Sequence, residues 1–361
     1  MGIDEKLDSL RDAIDGLDDN LLDLLNRRAS ITKEVGDLKR SAGQSVTFYR
    51  PDREAMILNR LMEANSGPIM DGDLVRIMRQ IISACLSLEK ILKVAYLGPE
   101  GTYTHAALRE HFGGAVESLP CSDIPEVFSL IESKKSDYGV VPIENSSGGS
   151  VNQTLDCLIG STLKIIGEIT LPIRHQLLGI DERLSVISRV YAHEQALTQC
   201  GSWLRENLSN AELISTKSNA IAAAKVAEEE GAAAIASTEA AEIYNLKIVA
   251  SNIEDFAGNS TRFLVLGSDQ VGPTGTDRTS LMFSASNVAG SLYGVLGILA
   301  ANEISMSRIE SRPSGDGLWE YMFFVDFLGH ANDVAVYKAI DEMKEKCKVF
   351  KILGSYPRSV S

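Results

Sequence analysis

The sequence predicts a multidomain protein with three unlike parts: an all-helical N-terminal domain, a two-lobed α/β centre and a small α+β unit at the C-terminus. Three observations carry this. Apolar residues recur at 3, 7, 10, 14, 17, 21, 24, 31, 35 and 38, a heptad ladder interrupted at position 28 by Arg28. From about residue 93 to 267, short apolar strands alternate with amphipathic helices, the pattern of layered α/β proteins. Beyond the linker-like run 267–276, strand–helix–strand–strand–helix–strand is the order of a ferredoxin-like unit. The expected domains are 1–92, 93–270 and 278–361.

Composition narrows the class. With 361 residues, 44% of them hydrophobic, the chain can fill two or three cores. Asp plus Glu outnumber Lys plus Arg by 49 to 35, which argues against nucleic acid or an anionic membrane as the main partner. A small anion needs only local cations. Charge begins at Asp4 with no apolar core around it, so a secretory leader is not expected, and Lys6 stands where N-myristoylation wants Ser or Thr. No stretch approaches the roughly 18 apolar residues of a membrane helix. Five cysteines, at 85, 121, 157, 200 and 347, are odd in number and lack CxxC spacing, so they read as reduced thiols. The expectation is a soluble cytoplasmic protein with no metal and no organic cofactor.

A ladder of this length makes one helix of roughly 55 Å at about 1.5 Å per residue. Such a helix cannot bury its own stripe, so a partner chain or the chain's later helices must cover it. Further helices are expected from about Pro51 to Asn65, with Pro51 in the first turn, and from about Asp71 to Val94, with Asp71 as cap. Arg28, in the seam, is either one half of a register-setting ion pair or an anion site. Lys39 follows eleven residues later, on nearly the same face. Arg11 precedes Arg28 by roughly 25 Å of helix, so the two share a small ligand only if Arg11 comes from a second chain.

In order and spacing, Arg11, Arg28, Lys39, the pair Arg53 and Glu54, and the late-helix pair Cys85 and Glu89 resemble the all-helical chorismate mutases. The resemblance implies an intertwined dimer whose sites each borrow an arginine from the neighbouring chain. It places Arg11, Arg28 and Arg53 near the two carboxylates of chorismate, Lys39 on the ether oxygen and Glu54 on the ring hydroxyl. The chemistry is a pericyclic rearrangement, which needs conformational selection and positive charge near the breaking C–O bond. Glu89 stands where many relatives have Gln, and Arg50 where some have Asp. A carboxylate cannot donate a hydrogen bond, so Glu89 is expected to work in its neutral form.

The centre opens with the strand Lys93–Leu97 and a Gly-rich turn, Gly98 to Thr104, whose backbone N–H groups at a helix start suit an anion. Further strands are expected at 138–141, leading into Glu144 and Asn145, and at 163–169, 190–193, 213–215 and 232–236. Near the end comes Gly258-Asn259-Ser260-Thr261-Arg262-Phe263, which sets a hydroxyl beside a guanidinium just before an apolar strand. A fixed cation beside a hydroxyl suits a small carboxylate that must lose an oxygen. Singly, each residue has a plainer reading: Glu144-Asn145 as a strand-end turn, Ser215, Thr216 and Ser218 as helix caps, His193 and Gln199 as satisfied polar groups. A cleft at the strand ends is the expected site.

Together the runs GPEGTYT, VPIENSSGG, AHEQALTQC and NSTRF resemble prephenate dehydratase throughout the domain. The resemblance implies a two-lobed fold of periplasmic-binding-protein type, with Thr261 as the prime catalytic residue at the departing C4 hydroxyl. It sets Glu144, Asn145 and Gln199 in the site, with Arg262, Phe263, Ser215 and Thr216 on the substrate. A Thr hydroxyl is a poor acid, so either Thr261 is preorganised as the donor or Glu144 supplies the proton. Ala192 stands where some relatives have Ser.

In the last unit, strands are expected at 279–286, 304–311, 318–328 and 347–355, with helices at 290–302 and 332–345. It holds no acid–base constellation. Gly290-Ser291-Leu292, opening its first helix, and the turn Glu310-Ser311-Arg312-Pro313 resemble the ACT-type phenylalanine-sensing domains. That implies phenylalanine bridging the two segments across a domain pair. The whole is similar to the bifunctional chorismate mutase–prephenate dehydratases of phenylalanine biosynthesis. That implies chorismate and prephenate as substrates, phenylalanine as feedback inhibitor, and a homodimer or higher homo-oligomer. Two rivals are a dehydratase whose helical domain only dimerises, and a non-catalytic two-lobed amino-acid-binding protein.

Overall fold

The computed structural model describes residues 2–41, 47–285, 288–313 and 321–359. The heptad ladder becomes one helix, α1 (Ile3–Ser41), of 39 residues and so about 58 Å long at 1.5 Å per residue. Gly36 is its one buried residue, set against the Glu89 side chain, while Ile3, Leu10, Leu17 and Leu24 are each more than half exposed. The apolar stripe is present and, within one chain, uncovered.

Two shorter helices follow. α2 (Pro51–Ala64) starts on Pro51, whose missing N–H would have had no partner in a first turn anyway. α3 (Asp71–Ser87) stops at Ser87 rather than at the expected Val94, because Leu92 and Val94 belong to the core of the next domain and Lys93 opens a strand. Asp71 is the first helical residue and not the cap; its carboxylate accepts a bond of 2.6 Å from Asn65.

The first lobe of the centre contains β1 (Lys93–Leu97), α4 (Tyr103–Phe112), β2 (Glu117–Cys121), α5 (Ile124–Glu132), β3 (Tyr138–Asn145), the two-residue β4 (Gly149–Ser150), α6 (Asn152–Gly160) and β5 (Lys164–Pro172). The chain then crosses into a second lobe. This holds β6 (Gln176–Gly179), β7 (Arg189–His193), α7 (Glu194–Gln199), α8 (Gly201–Asn207), β8 (Glu212–Thr216), α9 (Asn219–Val226), β9 (Ala232–Ala236), α10 (Thr238–Ile243) and β10 (Lys247–Ala250). The chain returns to lobe one as β11 (Ser260–Gly267). The sheet orders are β2-β1-β3-β11-β5 and β10-β6-β9-β7-β8. β11 therefore lies inside lobe one's sheet, antiparallel to β3 and β5, with Phe263 to Leu266 buried on both faces. A strand covered on both sides reads as a continuous apolar run. In lobe two, small side chains let layers approach: Ala232, Ala234 and Ala236 of β9 pack with Ala222 and Ala223 of α9.

The C-terminal unit is β12 (Asp277–Ser284), α11 (Ser291–Ala301), β13 (Met306–Pro313), β14 (Tyr321–Leu328), α12 (Val334–Lys346) and β15 (Val349–Pro357), with antiparallel order β13-β14-β12-β15. Strand alternation divides its apolar residues. Leu281, Phe283, Val325 and Phe327 pack under α11 and α12, whereas Met282, Phe324, Leu353 and Tyr356 join Ile165, Leu264 and Leu266 of lobe one in one continuous core. No helix among the described residues is long and apolar enough to cross a membrane.

β15 lies so close to β5 that a Cβ at Gly354 would collide with the backbone of Ile165. Gly354→Ala is expected to cost about 1–3 kcal/mol through overpacking, read as a lower Tm. An unchanged Tm would show that the two strands do not meet in solution.

Candidate active site

Between the two lobes lies a cleft of about 730 Å³. Lobe one contributes Thr102, Asn145, Thr261 and Phe263, and lobe two contributes His193, Lys217, Ser218 and Asn219. Two helix starts border it, α4 capped by Thr102 and α9 capped by Ser218. Among the described lining residues, Lys217 is the single Lys or Arg, and there is no Asp or Glu. The cleft therefore carries positive charge from one side chain and from helix N-termini, and nothing in its lining repels an anion.

A chain of hydrogen bonds runs along the wall. Thr261 lies directly opposite Asn145 in the β3–β11 ladder, and Asn145 Nδ2 donates to Thr261 Oγ1 at 2.8 Å and to Asn259 Oδ1 at 2.9 Å. The Asn145 oxygen accepts from the backbone of Ser147 and Gly148 at 3.0 and 2.8 Å, so both ends of its amide are fixed. Asn259 in turn donates to Gln199 Oε1 at 3.4 Å, which also lies 2.9 Å from His175 Nε2. An amide oxygen only accepts, so His175 carries its proton on Nε2, while Nδ1 lies 3.0 Å from the Tyr103 hydroxyl, which donates to the Arg174 carbonyl at 2.8 Å. Burial lowers the His175 pKa against the pull of Gln199 and Glu254, which keeps the ring neutral.

Thr261, Asn145, Gln199 and Phe263 thus line the cleft as expected from the sequence. Four others do not, and the reason is strand alternation. Arg262, next to Thr261, points through the opposite face of the sheet. Its guanidinium meets Glu168 at 2.8 Å, Asp326 at 2.6 Å and the Tyr356 hydroxyl at 2.9 Å. Burial works against its charge, but Tyr356, Asp326 and Glu168 outweigh it and hold the arginine protonated. Arg262 is a tie between domains, not a substrate cation. Glu144, next to Asn145, turns the same way and pairs with Arg308 of β13 at 3.4 Å, so it cannot serve as the cleft's proton source. Ser215 and Thr216 are also outside the lining; Ser215 is exposed on the edge strand β8, and the Thr216 hydroxyl donates to the Ser218 carbonyl at 2.9 Å. The cleft residues there are the next five, Lys217 to Ile221.

Sequence reasoning passed over Lys217, which lay inside a cap-rich run, and Asn259, which lay inside the motif beside Thr261. Tyr103 stood inside the run GPEGTYT without being singled out, and His175 carried no signal that could have found it. His175 is an ordinary residue until the fold brings it to Gln199.

The helical residues do not converge within one chain. Lys39 Nζ donates to Glu89 at 3.0 Å, with the Glu89 side chain only 6% exposed, so here Glu89 accepts instead of donating. Arg28 is half-buried, and its Nη1 is buried without a partner among the described residues. No ion pair to Arg28 forms among the described residues of one chain. Arg11 is exposed and paired with Asp8 at 3.0 Å, and Arg53 lies in an exposed hollow with Met56, Ile57 and Arg60. Cys85 is buried four residues before Glu89. Glu54 departs from expectation. Adjacent helix positions take different faces, and Glu54 turns to Arg79, 3.8 Å away, against a wall that includes His111 and Pro357. Burial pushes its carboxyl up to about 7 in spite of Arg79.

In the C-terminal unit, Gly290 caps α11 at a φ of 85, a conformation suited to glycine, and Ser291 and Leu292 open the helix half-buried. Glu310 to Pro313 form the end of strand β13 and not a turn. Glu310 accepts from the Ser150 hydroxyl at 2.7 Å, and Arg312 grips Asp156 with bonds of 2.7 and 2.8 Å, while Ser311 and Pro313 are exposed.

Comparison with known proteins matches residues 10–90 to chorismate mutase type II, 94–271 to prephenate dehydratase and 279–345 to the ACT domain. The bifunctional chorismate mutase/prephenate dehydratase of Aquifex aeolicus (strain VF5) is 44% identical over 360 residues, 99% of each chain. Among solved structures, the prephenate dehydratase from Arthrobacter aurescens in complex with L-Phe has a TM-score of 0.68 at 33% identity, covering 74% of this chain and 90% of that one. A protein described as a novel type of quorum quenching acylase has a TM-score of 0.69 at 30% identity, covering 74% and 98%. Matched in all three domains and alike from end to end, the chain belongs to the family of bifunctional chorismate mutase/prephenate dehydratases.

Proposed function

We propose that the cleft converts prephenate to phenylpyruvate on Thr261 and Lys217, and that the helical domain supplies the prephenate from chorismate. The observation that carries the reading is the 2.8 Å bond from Asn145 Nδ2 to Thr261 Oγ1. With a donor already on that oxygen, the hydroxyl hydrogen is free to point away from Asn145 to a substrate. In the reaction the C4–O bond breaks and the ring carboxylate departs as CO₂. Its bonding pair enters the ring and completes the aromatic system, and the leaving oxygen takes up a proton to form water. Thr261 donates a hydrogen bond to that oxygen, and the His193 ring, whose Nδ1 accepts from Gln195 N, offers Nε2–H from the facing lobe. Lys217 binds the pyruvyl carboxylate, which is retained. A cation on the departing carboxylate would stabilise the ground state and oppose its loss.

Thr261→Val is expected to lower dehydratase kcat by about 10²–10³-fold with little change in KM, the loss typical of one transition-state donor. Lys217→Met is expected to raise KM for prephenate more than it lowers kcat. Full turnover in the valine variant would remove Thr261 from the mechanism.

The uncovered stripe of α1 and the unpartnered Arg28 nitrogen both support a second copy of the chain against the helical domain. In that dimer Arg28 and Lys39 of one chain share a chorismate site with Arg11 of the other, and Arg53 adds to the positive charge. Glu89 and Cys85 flank the Lys39 end. If the dimer is right, chains carrying Arg11→Ala and chains carrying Arg28→Ala are each inactive as mutases. Co-refolded, they should regain about a quarter of parental activity, because half the dimers hold one intact site. No recovery on mixing would put both arginines in one chain's site.

Phenylalanine is the proposed effector of the ACT domain, bound by Gly290, Ser291 and Leu292 with Glu310, Ser311, Arg312 and Pro313 across a domain pair. The free state of all five cysteines fits a reducing, cytoplasmic setting. Given chorismate, the purified chain is expected to release phenylpyruvate, and less of it when phenylalanine is added. Prephenate that accumulates unconsumed would overturn the dehydratase assignment. Untouched chorismate beside consumed prephenate would reduce the helical domain to a dimerisation device.

A further inference from the structure

Two pairs of oppositely charged residues face each other across the boundary between the dehydratase and ACT domains. Arg262 and Glu144 are register partners across β11 and β3, and Arg308 and Asp326 are register partners across β13 and β14. The bonds between domains join the pairs crosswise. Arg262 meets Asp326 at 2.6 Å, and Arg308 meets Glu144 at 3.4 Å. Four charges of alternating sign therefore close a square between two sheets. Arg262, Asp326 and Arg308 have side chains only 10%, 6% and 8% exposed, so three of the four work largely out of water, where an unpaired charge is costly.

The square sits directly behind the catalytic pair. Arg262 follows Thr261, Glu144 precedes Asn145, and the β11–β3 register slips between Arg262 and Phe263. Such a slip re-aims side chains and makes their direction depend on what holds the strand. A second tether reaches the same place. Ser150 is the register partner of Glu144 on β4, and its hydroxyl is bonded to both Arg308 at 2.9 Å and Glu310 at 2.7 Å. The ACT domain thus grips both strands that carry the Asn145–Thr261 bond, from the face opposite the cleft.

We propose that Asp326 and Arg308 are positioning residues for the dehydratase reaction, acting on Thr261 and Asn145 through Arg262 and Glu144. This rests on the reading of the cleft given above. The square fixes the angle at which the Thr261 hydroxyl meets the leaving oxygen, and a misplacement on the order of 1 Å costs up to about 10²-fold in rate. It also gives β13, the strand that holds the effector segment Glu310 to Pro313, a mechanical hold on turnover.

The test uses the full-length chain, with its own mutase turnover as the measure of intact folding. Asp326→Asn is expected to lower dehydratase kcat about tenfold, with KM for prephenate changed by less than about twofold and mutase turnover unchanged. Glu144→Gln and Arg308→Gln are expected to lower kcat separately, and the double variant to be no worse than the poorer single, because the pair acts as one unit. Parental kcat in Asp326→Asn and Arg308→Gln would overturn the proposal, as would strictly additive losses in the Glu144/Arg308 cycle. If Asp326→Asn loses mutase activity as well, the cycle decides, since Glu144 is partly exposed and its replacement leaves the core intact. A parent chain that does not consume prephenate overturns the dehydratase reading itself, and this is seen before any substitution is made.

Discussion

The last strand of the central domain does not extend the second lobe from which it comes. β11 returns to the first lobe and pairs antiparallel with β3 on one side and β5 on the other. Without it that sheet would be split, its apolar centre from Phe263 to Leu266 would be missing, and Thr261 would not face Asn145. Once the ladder is fixed, the pleat decides the rest. Successive side chains leave a strand in opposite directions, so Thr261 and Asn145 turn to the cleft while Arg262 and Glu144 turn to the neighbouring domain. One pair of strands therefore carries both the Asn145–Thr261 wall of the cleft and the attachment of the C-terminal unit.

That attachment combines two kinds of interaction with different consequences. Met282, Phe324, Leu353 and Tyr356 share a core with lobe one, which provides non-directional stabilisation. Buried among these residues are Arg262, Glu168, Asp326 and Arg278, joined by short bonds. Buried ion pairs repay their desolvation poorly, so apolar residues of similar volume would hold the domains at least as well. What the charges add is register, since a guanidinium with three partners fits only one alignment of the sheets. Arg262 lowers the pKa of Asp326 against the opposing effect of burial, and Arg308 adds to it.

Much of this was legible in the sequence, and what was not depends on side-chain direction and on neighbours far along the chain. Periodicity marks α1, the strand–helix order marks the two-lobed centre, and the βαββαβ order marks the C-terminal sheet, because each pattern is local and repeats many times. Motifs bring Thr261, Asn145 and Gln199 to attention for the same reason. Direction is not local. The run Thr261-Arg262 reads as one chemical unit on paper, yet the pleat sends its two halves to different domains. Lys217 was hidden by the opposite effect: it follows two residues assigned to the site, and the cleft takes it and passes over them. Glu54 faces a wall drawn from the other two domains, at His111 and Pro357, that no helical pattern in residues 51–64 could announce.

The two lobes are joined by two crossings of the chain, 172–176 and 250–260, and these are tied together by the bond from Ile173 N to Asn259 O at 2.8 Å. The lobes also meet where the Ser237 hydroxyl donates to the Gly101 carbonyl at 3.3 Å and the Tyr244 hydroxyl to the Glu100 carbonyl at 3.1 Å, so a rotation about the tied pair would have to part or carry these bonds. Points on a rotating body move in proportion to their distance from the axis. Thr261 lies two residues from the tie, whereas Lys217 follows β8, at the edge of the second sheet farthest from β10 and β6. Opening and closing would leave the hydroxyl nearly stationary and carry the lysine through the longest arc. In the mechanism we propose, the hydroxyl at the leaving oxygen sits beside such a pivot, and the lysine that takes the carboxylate sits on the swinging side.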